Sequence, residues 1–215
     1  VLCVYYLAPV RFRSLVLTLI SFAFYAWANP PWVLLMLASI AITYATSYWM
    51  IRGIDRGTEK KAWPILPQGP PRSRGQKTAL FLSIAGNLAL LGFFKYFNFT
   101  AENIAALAHA LGLGQDWEPM LRVALPVGIS FYTFQTLSYS VDVYRGDVRP
   151  LRNLIDFACY VSMFPQLLAG PIVRYRILAE QMRQRSYTWE QFSRGAALMC
   201  TGLAKKVFLA SPMGY

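Results

Sequence analysis

Apolar runs long enough to cross a lipid bilayer recur along this chain, and they restrict its fold more than any other feature. A helix rises about 1.5 Å per residue, so roughly 20 apolar residues cover a ~30 Å hydrocarbon core. Residues 14–29, 32–51, 78–97 and 122–141 meet or approach that length, and residues 1–10 read as the remaining end of a further helix. Arg13 can snorkel at the start of the first run, and Asn29-Pro30-Pro31 must end it. Trp32 and Trp49 stand near the two ends of the next run, the placement expected at bilayer interfaces. The 215 residues are 56% hydrophobic and only 14% charged, too apolar for one soluble core of that length. The expected fold class is therefore all-α, a polytopic transmembrane helical protein with one membrane domain over residues 1–215.

The formal charge of +11 does not gather into one patch, so it reads as membrane topology and not as a nucleic-acid surface. The segment 52–77 holds Arg52, Arg56, Lys60, Lys61, Arg72, Arg74 and Lys77 against only Asp55 and Glu59, which places it in the cytoplasm. Its Pro64, Pro67, Pro70 and Pro71 predict a basic linker of low order. Alternation then puts 100–120 outside and returns Arg145, Arg149, Arg152, Arg174, Arg176, Arg183 and Arg185 to the inner face.

Two later segments do not read as simple spans. Asn153 is a good N-cap and Asp156 a favourable first-turn acid, so a helix should start there, but Pro165 interrupts it. The 11 residues before the interruption would be about 16 Å long, half a bilayer. With Gly170-Pro171 following and arginines on both flanks, residues 153–173 predict a re-entrant hairpin, tolerable only where protein or a polar cavity surrounds it. Thr188 to Gln191 has capping-box spacing, with Tyr187 and Phe192 placed for a staple, and predicts a helix from 188. Lys205 and Lys206 follow ten uncharged residues, so that helix lies shallow at the interface or turns its lysines to a polar cavity. Cys3, Cys159 and Cys200 are expected to be reduced, packed thiols with no metal site. The start at Val1 and the stop at Tyr215 inside an apolar stretch are expected to be cut ends.

Few residues carry chemistry. Asp142, Arg145 and Arg149 recur at helical spacing beyond the 122–141 run, either as a polar lining for an anionic donor or as an interfacial salt bridge, and spacing alone favours the salt bridge. Pro126 and Gly128 imply a kink within that run. His109 is the only histidine, lies in an Ala-rich stretch placed outside, and reads as structural because no nearby carboxylate or cysteine partners it. The glycosylation pattern at Asn98-Phe99-Thr100 is a short match that nothing else in the sequence supports.

The segment LPVGISFYTFQTLSYSVDVYRGD at 125–147 resembles the signature of the membrane-bound O-acyltransferases, in the branch that acetylates alginate. NLIDFACYVSMFPQLLAGPIVR at 153–174, GLAKKVFLAS at 202–211, FYAW at 24–27 and FKYFNF at 94–99 agree with that branch in order and spacing. The resemblance implies helices around a funnel, with re-entrant elements, an acyl donor entering from the cytoplasm and an acceptor from outside. It implies no bound cofactor, acetyl-CoA as donor, an exported polysaccharide such as alginate as acceptor, and periplasmic acetyl-carrier or acetyltransferase proteins as partners beside membrane lipid. The family's histidine, in a Trp-His context, is expected beyond Tyr215, so no catalytic residue is assigned within the chain. Asp142, Arg145, Gln166, Gly170, Pro171, Arg174, Lys205 and Lys206 are the candidate substrate-binding or channel residues. D-alanyl or acetyl transfer to teichoic acid, peptidoglycan or cellulose is the rival within the family, and a transporter built from broken helices is the rival outside it.

Overall fold

The computed structural model describes residues 2–28, 30–52, 54, 64–68, 71–111, 125–167, 173–183 and 188–213, and every regular element among them is helical. The chain divides into two compact units, Val1–Leu178 and Ala179–Tyr215.

The first unit holds α1 (Leu2–Leu7), α2 (Arg13–Ala28), α3 (Val33–Ile51), α4 (Arg74–Ala110), α5 (Ile129–Arg145), α6 (Leu154–Ser162) and the single turn α7 (Phe164–Leu167). Among the described residues, three stretches are long and apolar enough to cross a membrane: Val10–Trp27, Pro30–Ile51 and Arg74–Ala110. Their side chains are sorted opposite to a soluble protein's. Leu34, Phe81 and Phe93 face outward, whereas Ser39, Thr43, Ser83 and Asn87 are buried between helices. That inversion suits a lipid surround, where hydrogen bonds and close packing hold helices together because lipid is as apolar as leucine.

Asn87 is the centre of that polar packing. Its Nδ2 donates to Thr43 Oγ1 (3.0 Å) and to the Ser83 carbonyl (2.8 Å), while its Oδ1 accepts from Ser39 Oγ and from Thr136 Oγ1 (3.4 Å). Ser83 and Ser140 hydroxyls meet at 2.7 Å one turn further along. One amide thus ties α3, α4 and α5 into a sheaf, with its own hydrogen-bonding capacity filled.

Two helix starts differ from the sequence reading. α4 begins at Arg74, ahead of the span expected from 78, because Ser73 and Gln76 cap it reciprocally, Ser73 N donating to Gln76 Oε1 (3.0 Å) and Gln76 N to Ser73 Oγ (3.2 Å). It then runs 37 residues to Ala110. That is about 55 Å, well past a ~30 Å core. Lys95 ends the apolar run without ending the helix, since nothing there breaks the backbone ladder. α5 begins at Ile129, not at 122. Gly128 takes the left-handed conformation (φ 81°) just before it, so Pro126 and Gly128 shape its entry and do not kink its interior. A side chain at Gly128 would also come to 2.6 Å from the Leu167 carbonyl oxygen.

α5 ends in a Schellman arrangement at Gly146 (φ 82°), where Gly146 N donates to the Val143 carbonyl and Asp147 N to the Asp142 carbonyl, each at 3.0 Å. The chain reaches α6 through Asn153, whose side chain accepts from Ile155 N (3.0 Å) as its N-cap residue type predicts. α6 stops at Ser162, and the single turn after Met163 takes Pro165 in its first residues, where a missing N–H costs nothing. The freed Phe164 amide donates to Ser21 Oγ of α2 at 3.3 Å. Phe157 to Ser162 are all buried, so this broken helix lies inside protein. Its two limbs return to one level. Tyr139 of α5 touches Phe157 on the way in (ring centroids 4.6 Å) and Tyr175 on the way back (5.2 Å), and Tyr160 OH donates to the Val173 carbonyl (3.1 Å). α8 (Tyr175–Arg183) starts on that return.

Within the second unit, α9 (Trp189–Lys205) starts at Thr188, whose Oγ1 accepts from Gln191 N at 3.2 Å, the start read from the sequence. Tyr187, the other half of the expected staple, lies outside the described residues. The ladder opens into a π turn at Lys206–Ala210 and closes in α10 (Ser211–Met213). Cys159 is a packed thiol as expected, but Cys3 and Cys200 are exposed, because each sits on an outward helix face despite its apolar sequence.

Candidate functional site

Gly128, Tyr132, Gln135, Tyr139 and Asp142 recur along α5 at steps of four and three, which puts them on one helix face. That face meets the broken helix. Gly128 abuts Leu167, Gln135 Nε2 donates to the Tyr160 carbonyl (2.8 Å), and Tyr139 OH accepts from Leu151 N (2.8 Å). The register runs antiparallel along the α5–α6–α7 seam, and Tyr25 of α2 closes its far end by donating to the Val127 carbonyl (3.1 Å).

The seam is polar, deeply buried and incompletely satisfied. Tyr132 OH, Asp142 Oδ2, Ser162 Oγ and Gln166 Oε1 have no hydrogen-bond partner among the described residues. Burying such an oxygen unpaired costs on the order of 1–3 kcal/mol.

Asp142 has the most charged surroundings. It is only 4% exposed, and the charges acting on its carboxylate are, in order of strength, those of Arg174, Asp147, Arg176 and Arg145. Arg145, Arg174 and Arg176 are themselves exposed, so the buried carboxylate feels a rim of exposed charges, three guanidinium groups and the Asp147 carboxylate. Arg145 and Arg149, the expected helix-face partners of Asp142, do not both lie on α5. α5 ends at Gly146, Arg149 lies beyond it, and the leading cation arrives from Arg174, on the far limb of the hairpin. Chemically, the rim can hold an anionic group in forked hydrogen bonds while the carboxylate fixes the guanidinium orientation.

Of the candidate residues, Asp142, Arg145 and Arg174 come together here. Gln166 lies at the other end of the same seam, next to Leu167 and Gly128. Gly170 and Pro171 fall outside the described residues, and Lys205 and Lys206 belong to the second unit, where both are exposed. His109 is exposed in the last turn of α4, about 55 Å along that helix from Ser73. Since Arg72, next to Ser73, bonds the Arg145 carbonyl, His109 is far from Asp142. Among the described residues no group of three or more His, Cys, Asp and Glu is placed to hold a metal. Sequence reading missed Tyr132, Ser162 and the part of Arg176, although the 4-3-4-3 stripe on α5 was there to be counted.

Over 97% of its residues the chain is 40% identical to the probable alginate O-acetylase of Pseudomonas syringae pv. tomato and 36% identical to that of Pseudomonas aeruginosa. These matches agree with the resemblance carried by the two long motifs at 125–147 and 153–174. The chain spans 37% of the length of each of those two relatives. A more distant member of the group, the peptidoglycan O-acetyltransferase of Helicobacter pylori, is 28% identical over 93% of the chain, which spans 38% of it. No family model matches the chain, and no solved structure matches it. Asp142, Arg145, Arg174 and the seam lie within the two segments, 125–147 and 153–174, that carry the resemblance.

Proposed function

We propose that the protein is a membrane O-acetyltransferase that moves an acetyl group from a cytoplasmic donor, acetyl-CoA, to hydroxyls of an exported polysaccharide, with alginate the first acceptor to test. In this reaction the thioester C–S bond breaks, an ester C–O bond forms, and the hydroxyl proton ends on the released thiol. The observation that carries the reading is identity of 36–40% over 97% of the chain with proteins named alginate O-acetylase, coupled to a buried carboxylate and guanidinium rim at one end of the helix sheaf. The rim takes the anionic donor, with Asp142, Arg145 and Arg174 as its binding residues. Gly170 and Pro171 complete the donor side in this reading, and Gln166 lines the channel. The proton-accepting or acyl-carrying group is a histidine after residue 215, and His109 takes no part.

The reading also places Asp142, residues 52–77 and both ends of the 153–173 hairpin on the cytoplasmic side of a bacterial inner membrane, and periplasmic acetyl-carrier proteins opposite. Arg72 on Arg145, and Arg174 and Arg176 near Asp142, gather basic groups at one end of the sheaf in agreement with the positive-inside bias. The test is transfer of labelled acetyl from acetyl-CoA by the full-length protein with its carrier partners, using alginate and peptidoglycan fragments side by side. Ester formation on alginate supports the reading. Labelling of peptidoglycan alone favours the second acceptor, which the Helicobacter pylori relative brings into view. No ester on either polymer from a well-inserted protein sinks the transferase.

A further inference from the structure

Residues 64–68 and 71–73, part of the segment expected to be a low-order linker, pack against the end of α5. Leu66 is fully buried, and its carbonyl oxygen lies against Gly146, where any Cβ would overlap it. Glycine at 146 is thus required twice, by the positive φ and by this contact. Gln68 Nε2 reaches both the Gly146 carbonyl (3.4 Å) and Asp147 Oδ1 (3.3 Å). Arg72 donates from one nitrogen to the Pro67 carbonyl (2.8 Å) and from another to the Arg145 carbonyl (2.9 Å), while its guanidinium carbon sits 5.5 Å from the Tyr144 ring centroid.

We propose that Leu66, Gln68 and Arg72 latch across the carboxyl end of α5, and that Arg72 is a positioning residue for the Asp142 rim. The inference rests on the reading of that rim as the donor site. The last carbonyls of a helix lack intrahelical donors, and here the latch supplies them for Arg145 and Gly146. The same turn carries Asp147 N to the Asp142 carbonyl, so the latch reaches the backbone of the buried carboxylate in one step. Arginine is specifically suited to this position. Its planar fork bridges two carbonyls while lying on an aromatic ring, which a single ammonium group does not reproduce.

The test uses the full-length protein in its membrane, with Cys3, Cys159 and Cys200 replaced by serine. Cysteines at Gln68 and Asp147 should join rapidly through a short thiol cross-linker, and adding Gly146→Val should slow the joining several-fold. Failure to join in the Gly146 background overturns the latch, whatever the activity. In the acetyl-transfer assay, Arg72→Ala and Arg72→Lys should both raise the donor KM about tenfold, the scale of losing a pair of charge-assisted hydrogen bonds in part, with the melting midpoint close to that of the parent. Rescue by lysine would show that charge alone matters and would overturn the positioning role, as would unchanged kinetics in both variants. A parent protein that transfers no acetyl group would defeat the proposed function, while the cross-link still decides the latch.

Discussion

Two buried polar regions flank α5, and they are built on opposite principles. On the side of α3 and α4, Thr136 and Ser140 meet Asn87 and Ser83, and the Asn87 amide is hydrogen-bonded at both its oxygen and its nitrogen. On the side of α6 and α7, Tyr132 OH, Asp142 Oδ2, Ser162 Oγ and Gln166 Oε1 are left open. A satisfied network within the hydrocarbon region holds helices in register. An unsatisfied one costs stability and persists where a ligand, water or charge completes it. The Asn87 network is the satisfied one and the Asp142 seam the open one, although Ser47 Oγ of α3 is also buried without a partner among the described residues.

The sharpest way to break the comparison is Asn87→Leu, which leaves Ser39, Thr43 and Thr136 without their partner. Interhelical hydrogen bonds in membranes average about 0.6 kcal/mol, so losing three should cost about 2 kcal/mol. The expected outcome is a clear fall in thermal midpoint in detergent, with activity lost in step with folded protein. A variant that keeps its midpoint would move Asn87 out of the scaffold.

Asp142→Asn probes the other side. The substitution keeps shape but removes the charge that Arg174 faces, so donor affinity should drop about tenfold, the scale of one charge-assisted hydrogen bond, while the midpoint stays within a few degrees. Unfolding in place of that affinity loss would assign Asp142 to the scaffold.

Tyr132→Phe sharpens the same point with a smaller effect. Its hydroxyl has no partner among the described residues, so removal should leave stability unchanged or raise it by up to about 1 kcal/mol, read as the shift in midpoint. A loss of 2 kcal/mol or more would reveal a hidden hydrogen bond and weaken the case for an open seam. The smallest effect belongs to His109→Ala, which should leave polysaccharide acetylation by the full-length protein near the parent value. A large loss with normal insertion would relocate the histidine chemistry into α4.

Much of the fold could be read from residue order because its signals are local. Uncharged runs dictated α2 and α3, Asn153 and Thr188 announced their helices through side chains that cap the next turn, and Pro165 marked the break near Met163. Boundaries failed where a local signal was outweighed. Pro64, Pro67 and Pro71 argued against order, but among the described residues Leu66 is buried on Gly146 and Ser73 caps α4. Lys95 looked like an end, but a charged residue at an exposed position does not stop a helix whose backbone bonds continue.

By itself, then, the sequence determined that this protein is a helical membrane domain with a broken helix after Asn153, since hydropathy and capping depend on near neighbours alone. It also carried the resemblance to the alginate O-acetylases, through long motifs in register. Only the tertiary structure decided which polar residues pair and which stay open. Asn87 finds Thr43 and Thr136, and Arg72 finds Arg145, across separations of 44 to 73 residues. Pairing at such range depends on where whole helices pack, and no local pattern of residues encodes it.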